Sequence, residues 1–512
     1  MGLMGLDIGS TGAKAVVFSR EGAPLSQAYR EYPEVYPGPN MIELEPERVW
    51  QAIRAVISEA AAAAPEPVAA LCISAPGECF TPVARDGSFL HNTIISMDSR
   101  SVAEVRELAE EVGAWEIFRI TGMPVHPSFT LSKIVWLQKH RPEVHAATWK
   151  YLQWPEIVHL RLGLTPRIDY SLAGRTMAFD VVRKEWSERM PAAAGITADR
   201  FADPIASGET IGELSATAAA EVGLPPGALV VAGGHDQPMN ALGAGVVRPG
   251  LAVDGMGTVG CITVAFAEPV LNRAMFDQNY CVYPHVKAGM YVTLAFTYSS
   301  GSILRWFRDQ FGQLEQQQAA AEGRDVYEVI LSDLPEGPTG LFLLPYFAGT
   351  GTPYMDPLAK GALLGLTLGC DRKSLVKALL EGICYELALN VSCLRDAGVE
   401  VQRLRATGGG SKSPTWLQIK ADITGCEVVT LNVAEGGCLA GAMLAGVALG
   451  QWRSVDEATA ALVHEERAYE PDAARHARYQ ELFARYRRIW PAIAEVAHEM
   501  TGGDGACNGS SS

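Results

Sequence analysis

Two short glycine-containing stretches of this sequence resemble one another and lie almost half the chain apart. The first reads Gly5-Leu-Asp-Ile-Gly-Ser-Thr-Gly12 and the second reads Val253-Asp-Gly-Met-Gly-Thr-Val-Gly260. In each, an apolar run leads to an Asp and a glycine turn with a Thr, and an alternating apolar segment follows. Such a turn can direct N–H groups and a hydroxyl at phosphate oxygens, while the Asp can hold a metal ion. Two copies predict two related domains that grip one phosphate chain for phosphoryl transfer.

The second stretch also matches the pattern G-x-G-x-x-G between Gly255 and Gly260. A dinucleotide-binding fingerprint needs a strand before this pattern and a helix after it. Here the residues 261–266 alternate like a strand, so the context favours a phosphate-binding hairpin. A plain glycine hairpin is the alternative for either turn alone. The sequence has no G-x-x-x-x-G-K-[ST] motif, which argues against a P-loop ATPase.

Asp236 is the candidate for acid–base chemistry. It follows Gly233-Gly-His235 at the end of a predicted strand. A carboxylate at that place can accept the proton of a substrate hydroxyl as the hydroxyl attacks a γ-phosphate. The alternative is that Asp236 caps the helix predicted to begin near Pro238. The pattern alone leaves both roles open.

A run of three glycines forms a further candidate site. Gly408-Gly-Gly410 and Ser411 lie between a short strand predicted at 404–406 and a helix predicted at 414–424. Glycines let the backbone approach a flat base or ribose closely. The alternative is a flexible loop, but the position between strand and helix favours nucleotide binding.

The bulk properties narrow the class of protein. With 512 residues, the chain is long enough for two large domains, and its net charge of -16 argues against nucleic acid or an anionic membrane as partner. No apolar run reaches the roughly 18 residues of a membrane span. The ten cysteines form no C-x-x-C pair, which predicts buried free thiols in a reducing compartment. We therefore expect a cytoplasmic protein.

Periodicity and turn residues predict alternating strands and helices in both halves. The break at Arg248-Pro-Gly250 places the domain boundary, giving domains at 1–248 and 249–500 and a disordered tail at 501–512. The first half is predicted to hold strands within 3–18, 68–74 and 228–232 and helices at 46–64, 102–112 and 131–140. The second is predicted to hold strands within 251–297 and helices at 302–311, 372–397, 439–449 and 473–500.

These motifs resemble a known family. The two glycine turns look like the duplicated nucleotide-binding fold shared by actin, sugar kinases and 70-kilodalton heat-shock chaperones. The segment 128–140 resembles the first signature of the FGGY carbohydrate kinases. Gly361-Ala-Leu-Leu-Gly-Leu366, followed by 375–381, resembles their second signature, with departures at Ser374 and Leu379. The resemblance spans residues 5 to about 445.

The resemblance implies an α/β fold of two ribonuclease-H-like, actin-like domains, each with a mixed five-stranded sheet, closing on a central cleft. It implies ATP and Mg²⁺, with Asp236 as the catalytic base and Asp7 acting on Mg²⁺. The site residues expected from it fall into three groups. They are Glu78, Asp98, Arg100, Asp236 and Gln237 for the substrate; Gly9, Ser10, Thr11, Lys14, Gly257, Thr258, Gly408, Gly409, Gly410 and Ser411 for ATP; and Asp7 and Asp236 for the metal.

The expected substrate is a small sugar or polyol. Glu78 and the pair Asp236-Gln237 resemble glycerol kinases, whereas the Met-His-Gly stretch of xylulokinases is absent at 73–78. These side chains offer mostly acceptors, which suits a neutral polyhydroxy ligand. We expect a ketopentose such as xylulose first, and glycerol or another polyol next.

Two other classes of function stay open at this stage. One is a catalytically weak sugar sensor, and the other is an actin-like or chaperone-like ATPase that acts through a protein partner. The FGGY signatures argue against the partner-driven ATPase, and the presence of both Asp7 and Asp236 argues against the sensor. A homodimer is common in the family, but no feature of the sequence indicates one.

Overall fold

A computed structural model of the chain describes residues 1–502. Two central sheets organise it, one in each half. The first has the strands β1 (Gly2–Ile8), β2 (Gly12–Phe18), β3 (Pro24–Glu31), β4 (Val68–Ala75), β5 (Thr210–Glu213) and β6 (Leu229–His235). The second has β7 (Gly250–Met256), β8 (Gly260–Phe266), β9 (Tyr283–Pro284), β10 (Tyr291–Thr297), β11 (Val401–Thr407), β12 (Glu427–Leu431) and β13 (Glu465–Tyr469).

The two sheets repeat one topology. The first has the order β5-β6-β4-β1-β2-β3 and the second β9-β10-β8-β7-β11-β12-β13. In both, a central strand pairs antiparallel with the strand that follows its glycine turn and parallel with the strand on its other side. The predicted five-stranded sheet is present as this repeated core. The prediction was wrong at the edges, because β5, β9 and β13 extend the sheets to six and seven strands.

Seven helices matter for the site and the packing around it. They are α1 (Pro46–Ala63), α2 (Asp236–Gly243), α3 (Gly301–Phe311), α4 (Arg372–Asp396), α5 (Pro414–Thr424), α6 (Gly436–Ala448) and α7 (Ala473–Tyr486). In α1, buried apolar residues recur every three or four positions, which gives the helix one face to pack on the sheet. The first turn of α1 contains Pro46, where a missing N–H costs no intrahelical hydrogen bond.

The remaining elements surround these two sheets. The other strands are Glu34–Val35, Glu43–Leu44, Thr81–Val83, Thr93–Ile94, Lys150–Leu152, Arg167–Asp169, Phe179–Asp180, Glu185–Trp186, Asp203–Ile205, Phe342–Leu344 and Ala362–Leu364. The other helices are Val102–Val112, Ala114–Thr121, Thr130–His140, Pro142–Ala147, Trp154–Arg161, Tyr170–Gly174, Arg189–Ala193, Ala198–Arg200, Ala216–Val222, Arg273–Asp277, Gln313–Glu322, Val326–Ile330, Gly409–Lys412, Val455–Leu462 and Ile489–Gly502.

Most predicted elements agree with the structure within a few residues, and two differ in an informative way. The strand predicted at 228–232 runs on to His235, because Gly233 and Gly234 lie inside β6 and not in a turn. The single helix predicted at 473–500 is two helices, separated at Arg487 and Arg488. The predicted disordered tail falls outside the described residues from 503 onward, while Thr501 and Gly502 end the last helix. The domain limits 1–248 and 249–500 stay predictions.

The helix α6 belongs to the second half of the chain by sequence but packs on the first sheet. Its small side chains form one buried cluster with residues of β1, β4 and α2. Glycines make this approach possible. A Cβ on Gly5 would lie 2.0 Å from the carbonyl oxygen of Cys438, and one on Gly243 would lie 1.9 Å from that of Gly436. The two halves are therefore joined by direct backbone contact between α6, β1 and α2.

Nine cysteines lie in the described part of the chain. All nine are free, and seven of them are buried. The prediction of free buried thiols is confirmed at those seven positions, whereas Cys261 and Cys370 are free but only half-buried, and Cys507 lies outside the described residues. Up to residue 502, the chain has no helix that is both long and apolar enough to cross a lipid bilayer.

Candidate active site

Asp236 lies at the junction where β6 ends and α2 begins. Its side chain is 36% exposed, but the Oδ1 atom is buried and accepts no well-aligned hydrogen bond. The N-cap residue of α2 is His235 and Asp236 is the first residue inside the helix, so Asp236 does not occupy the capping position. The pKa of Asp236 is raised to about 7: burial is the largest cause, the charges of Asp7 and Glu78 also raise it, and the N–H of Gln237 and the charge of Arg175 lower it. The pKa of the Asp236 carboxyl group is therefore close to neutral pH.

His235 is the immediate neighbour of this carboxyl group. Its Nε2 atom lies 3.1 Å from Oδ1 of Asp236, and its Nδ1 atom lies 3.0 Å from the hydroxyl of Tyr283. Burial and the charge of Arg175 hold the pKa of His235 well below its usual range, so the imidazole is neutral. The backbone N–H of His235 donates to Ser171 Oγ at 2.8 Å, which fixes the end of β6.

Glu78 forms a buried ion pair with Arg175 beside Asp236. The Nε atom of Arg175 donates to Oε1 of Glu78 at 2.5 Å, and its guanidinium lies over the rings of Phe129 and Tyr283. The Glu78 backbone has a φ of 60°, a left-handed conformation that is uncommon for a non-glycine residue. Gly77 leaves room for this pair, because a Cβ there would lie 3.0 Å from Cγ of Arg175.

Asp98 and Arg100 form a second, fully buried ion pair. Both oxygens of Asp98 accept from Arg100, and Oδ2 also accepts from the N–H of Ile42 at 2.7 Å. Arg100 donates in addition to Oε1 of Glu43 at 2.7 Å. Asp98 is 0% exposed and its acceptor sites are occupied. This geometry gives the pair a supporting role, and the predicted contact of Asp98 and Arg100 with substrate stays a prediction.

Asp7 lies on β1 next to the first glycine turn and is half-buried. Its Oδ1 accepts from Ser74 Oγ at 2.7 Å. Burial raises the pKa of Asp7, the Ser74 hydroxyl lowers it, and the charge of Glu435 raises it again. A Cβ on Gly437, in the first turn of α6, would lie 3.4 Å from Asp7 Oδ1. The amino end of α6 thus lies against Asp7, where its partial positive charge favours an anion.

The first turn consists of Gly9, Ser10 and Thr11, and only Thr11 in it is exposed. The turn is closed by a hydrogen bond from the N–H of Gly9 to the carbonyl of Gly12 at 2.8 Å. Lys14, on β2, donates to Oε1 of Glu435 at 2.8 Å, and both side chains are about one third exposed. This ion pair joins the first hairpin to the amino end of α6. The hydroxyl of Thr11 and the ammonium of Lys14 are the polar groups that phosphate could meet at this turn.

The second turn and the glycine loop form one surface in the other half. The carbonyls of Gly257 and Thr258 accept from Gly301 and Ser302, so this turn closes the amino end of α3. Gly408 and Gly410 pack on Met256, where a Cβ would lie 3.0 and 2.8 Å from its atoms. Gly409 has open space above it. In the loop, Ser411 Oγ donates to the carbonyl of Gly408 at 2.7 Å.

The aspartates of the two repeats are not equivalent. In the first hairpin the last paired residues before the turn are Ile8 and Ala13, and Asp7 lies one residue before Ile8. In the second hairpin they are Met256 and Gly260, and Asp254 lies two residues before Met256. Successive side chains of a strand point to opposite faces, so the two carboxylates project differently. Asp254 is buried and forms an ion pair with Lys420 of α5. The sequence pattern did not predict this difference between the two aspartates.

The residues fit a Mg²⁺ ion that is held mainly by its nucleotide. Between residues 1 and 502, no group of three or more His, Cys, Asp and Glu side chains is arranged to hold a metal by itself. Mg²⁺ in phosphoryl-transfer sites is commonly held by one or two carboxylates together with phosphates and water. Asp7 and Asp236 are close enough for the charge of Asp7 to raise the pKa of Asp236. Asp7, half-buried with Oδ1 held by Ser74, fits this donor set.

The structure brings the predicted residues into two groups and adds several that sequence reasoning missed. Asp7, Glu78 and Asp236 lie together, while the second turn and the glycine loop pack against each other. The missed residues are His235, Tyr283, Arg175, Ser74 and Lys420. His235 could have been singled out from its place before Asp236. Ser74 lies inside the segment 73–78 but was not singled out there, and Tyr283, Arg175 and Lys420 come from elsewhere in the chain and carry no local motif.

Two α/β halves of the same topology, each with a glycine turn after its central strand, are the arrangement expected of a two-domain phosphotransferase. Sequence models of the FGGY family of carbohydrate kinases match residues 3–243 with the N-terminal domain and 255–449 with the C-terminal domain. The chain therefore belongs to the FGGY family of carbohydrate kinases, enzymes that transfer a phosphoryl group to a sugar or polyol, with ATP as the donor.

Individual relatives agree with this assignment. The chain is 29% identical over 491 residues to the xylulose kinase of Bacillus subtilis (strain 168), covering 95% of this chain and 96% of the relative. It is also 29% identical over 466 residues to the gluconokinase of the same strain, covering 89% of each. The gluconate kinase structure from Lactobacillus acidophilus superposes with a TM-score of 0.89 at 24% identity, covering 98% of this chain and 99% of that one. This last likeness confirms the two-domain, actin-like fold.

Proposed function

We propose that this protein phosphorylates a hydroxyl of a neutral small sugar or polyol with Mg-ATP, using Asp236 as the general base. The observation that carries the proposal is the state of Asp236. Its carboxyl group is partly open, has a pKa of about 7 and lies at the junction of the two halves. A base with a pKa near the working pH is both ionised and a good proton acceptor.

The proposed residues have separate tasks. Asp236 accepts the proton of the attacking hydroxyl. Turn N–H groups, Thr11 and Thr258 bind phosphate oxygens and stabilise the charge on the transferring group. Asp7 would hold Mg²⁺, which when bound would supply positive charge beside the phosphates, and this leaves Asp236 free to act as the base. Gly408–Ser411 receives the adenosine. Domain closure excludes water and suppresses wasteful ATP hydrolysis.

The charges beside Asp236 support a neutral substrate over an acidic one. Arg175 is a cation near the base, but Glu78 already pairs with it. Glu78 and Gln237 add acceptors for hydroxyl protons. A ketopentose such as xylulose is favoured, with glycerol or another polyol next. A sugar acid would have to compete with Glu78 for the guanidinium.

A coupled assay of ADP release tests the proposal across D-xylulose, other ketopentoses, aldoses, glycerol, four- and five-carbon polyols and D-gluconate. We expect a neutral sugar or polyol to accelerate ADP release at least a hundredfold over the sugar-free rate. Asp236→Asn should abolish the acceleration and keep ADP affinity within about threefold. Retention of most of the transfer by that variant would remove the base assignment. An absence of acceleration by every compound would point to a sensor or a partner-driven ATPase.

A further inference from the structure

His235 lies in the candidate active site but has no role in the reaction proposed above. Its side chain is 5% exposed, which leaves it little surface to contact a substrate in the cleft. Both ring nitrogens are nevertheless directed at functional groups, Nδ1 at the hydroxyl of Tyr283 and Nε2 at Oδ1 of Asp236. Consecutive side chains of a strand point apart, but the helix begins at Asp236 and brings this pair together.

The Oδ1 atom of Asp236 lacks the partner that its burial demands. It is buried, lies 3.1 Å from Nε2 of His235 and accepts no well-aligned hydrogen bond. An unpaired buried acceptor is costly, and catalytic hydrogen bonds are often poorly aligned before substrate binds and tighten afterwards. A small rotation of the carboxylate therefore completes the contact.

The groups at the two ring nitrogens together favour one tautomer of His235. The Tyr283 hydroxyl can donate to Nδ1 or accept from it, and when it donates, the hydrogen of the neutral ring is on Nε2 and faces the carboxylate. The opposite tautomer would direct the Nε2 lone pair at Oδ1, which is repulsive. The ring is held in this position on two further sides. The His235 backbone is bonded to Ser171, and Gly77 leaves the ring room, because a Cβ there would lie 3.1 Å from its Cδ2 atom.

We propose that His235 is the positioning residue of the base: its Nε2–H donates a hydrogen bond to Oδ1 of Asp236, which leaves Oδ2 to accept the substrate proton. The inference rests on the proposed role of Asp236. As the substrate oxygen bonds to the γ-phosphorus, the bond from that phosphorus to the β,γ-bridging oxygen breaks, and its electron pair leaves with ADP. The hydroxyl proton passes to Oδ2. Tyr283 belongs to the second half of the chain, so this half fixes the orientation of a base carried by the first.

Two substitutions of His235 separate positioning from simple packing. The amide nitrogen of Gln can occupy the place of Nε2, whereas that of Asn reaches only the place of Nδ1. We expect His235→Asn to lower kcat by about tenfold to a hundredfold, the range expected for a lost hydrogen bond to a charged group. The KM for the sugar that supports turnover, tested first with D-xylulose, and the Kd for ADP should change less than threefold. His235→Gln should keep at least a third of the wild-type kcat.

Every other pattern in this pair of variants overturns the proposal. An Asn variant with nearly wild-type kcat shows that the contact is unimportant. Equal losses in both variants show that the ring only fills space, and a raised KM at constant kcat shows that it serves binding. Melting temperatures within a few degrees of wild type confirm that the variants are folded.

A measurement on the unmodified protein decides the tautomer independently of turnover. Long-range ¹H–¹⁵N spectra of histidine-labelled protein, recorded well above the pKa of Asp236 so that its carboxylate is ionised, should show the His235 proton on Nε2, and Tyr283→Phe should increase the other tautomer. A proton on Nδ1 in the wild-type protein overturns the proposal even if a variant fails to fold. A different result would separate the two proposals. If Asp236→Asn stays active while His235 carries the Nε2 proton, Asp236 is not the base, but the hydrogen bond from His235 to Asp236 is still supported.

Discussion

Gly5 of β1 and Cys438 of α6 are in contact through their backbones. A Cβ on Gly5 would lie 2.0 Å from the carbonyl oxygen and 2.6 Å from the Cα atom of Cys438. The contact presses the first turn of α6 against the strand that carries Asp7. It joins a helix from the second half of the chain to the phosphate turn of the first, so the packing of these two residues positions the site.

Replacing Gly5 by Ala should displace α6 and weaken both stability and activity. No flexible side chain can yield, since the obstructing atoms are backbone, and overpacking of this kind costs about 1–3 kcal/mol. We expect a lower melting temperature together with a raised KM for ATP. Gly369→Ala is a matched control, because its nearest neighbour would be Thr367 Oγ1 at 3.7 Å. Wild-type stability in Gly5→Ala would show that the contact is looser than described.

The activity of the enzyme should depend on the ionisation of Asp236. Its pKa is raised by burial to about 7 from an ordinary value of 3.8. Only the ionised carboxylate is a base, so kcat/KM should fall about tenfold for each pH unit below 7 and level off above it. Assays from pH 5 to 9 at saturating Mg²⁺ measure this acidic limb of the pH–activity profile. A flat profile down to pH 5 would show that another group limits the reaction.

The pH at which activity falls in this acidic limb should shift when a charge beside Asp236 is removed. Glu78 raises the pKa of Asp236 after burial and Asp7, so Glu78→Gln should shift the limb to lower pH. Arg175 lowers that pKa, so Arg175→Met should shift it to higher pH. Both variants break a buried ion pair, and each is therefore compared with its own melting curve. Shifts in one common direction would contradict the electrostatic account.

Much of the fold was predictable because it depends on local patterns. Helix α1 and the strands around both turns follow from hydrophobic periodicity and from glycine and proline positions. The relationships that build the site are not local. Arg175 lies 97 residues from Glu78 in the sequence. Asp98 and Arg100 were predicted to bind substrate from a motif, but the motif could not show that their charges are already paired.

A buried carboxyl group that has no proposed part in the reaction should make stability depend on pH. Glu156 is fully buried, and Oε2 has no hydrogen-bond partner. Burial raises its pKa from 4.5 to about 8. The folded state therefore holds a proton that the unfolded state releases above about pH 4.5, and this contribution to stability is lost as pH rises to about 8.

Glu156→Gln should gain stability relative to wild type across that pH range, because a neutral amide has no proton to lose. The gain is expected to grow by at most about 1.4 kcal/mol per pH unit between pH 5 and 8 and to level off above. Thermal unfolding at a series of pH values measures the difference. Glu110→Gln, at an exposed site in the helix Val102–Val112, is the control and should show no such trend. A constant difference between Glu156→Gln and wild type would mean that Glu156 is ionised throughout.

The aspartates of the two repeats should respond in opposite ways to the same substitution. Asp7→Asn removes a half-buried carboxylate. The only cation in the strand pair β1 and β2 is Lys14, and Lys14 is already paired with Glu435. We expect the melting temperature of this variant to stay or rise, while kcat/KM falls at least a hundredfold and the Mg²⁺ requirement increases.

Asp254→Asn leaves Lys420 buried without its partner. Breaking such a pair costs about 3–5 kcal/mol, so this variant should lose stability first. Its Mg²⁺ requirement should stay near wild type under conditions where it is folded. Magnesium titrations of turnover alongside melting curves compare the two, and equal changes in Mg²⁺ requirement would contradict the one-residue difference in register.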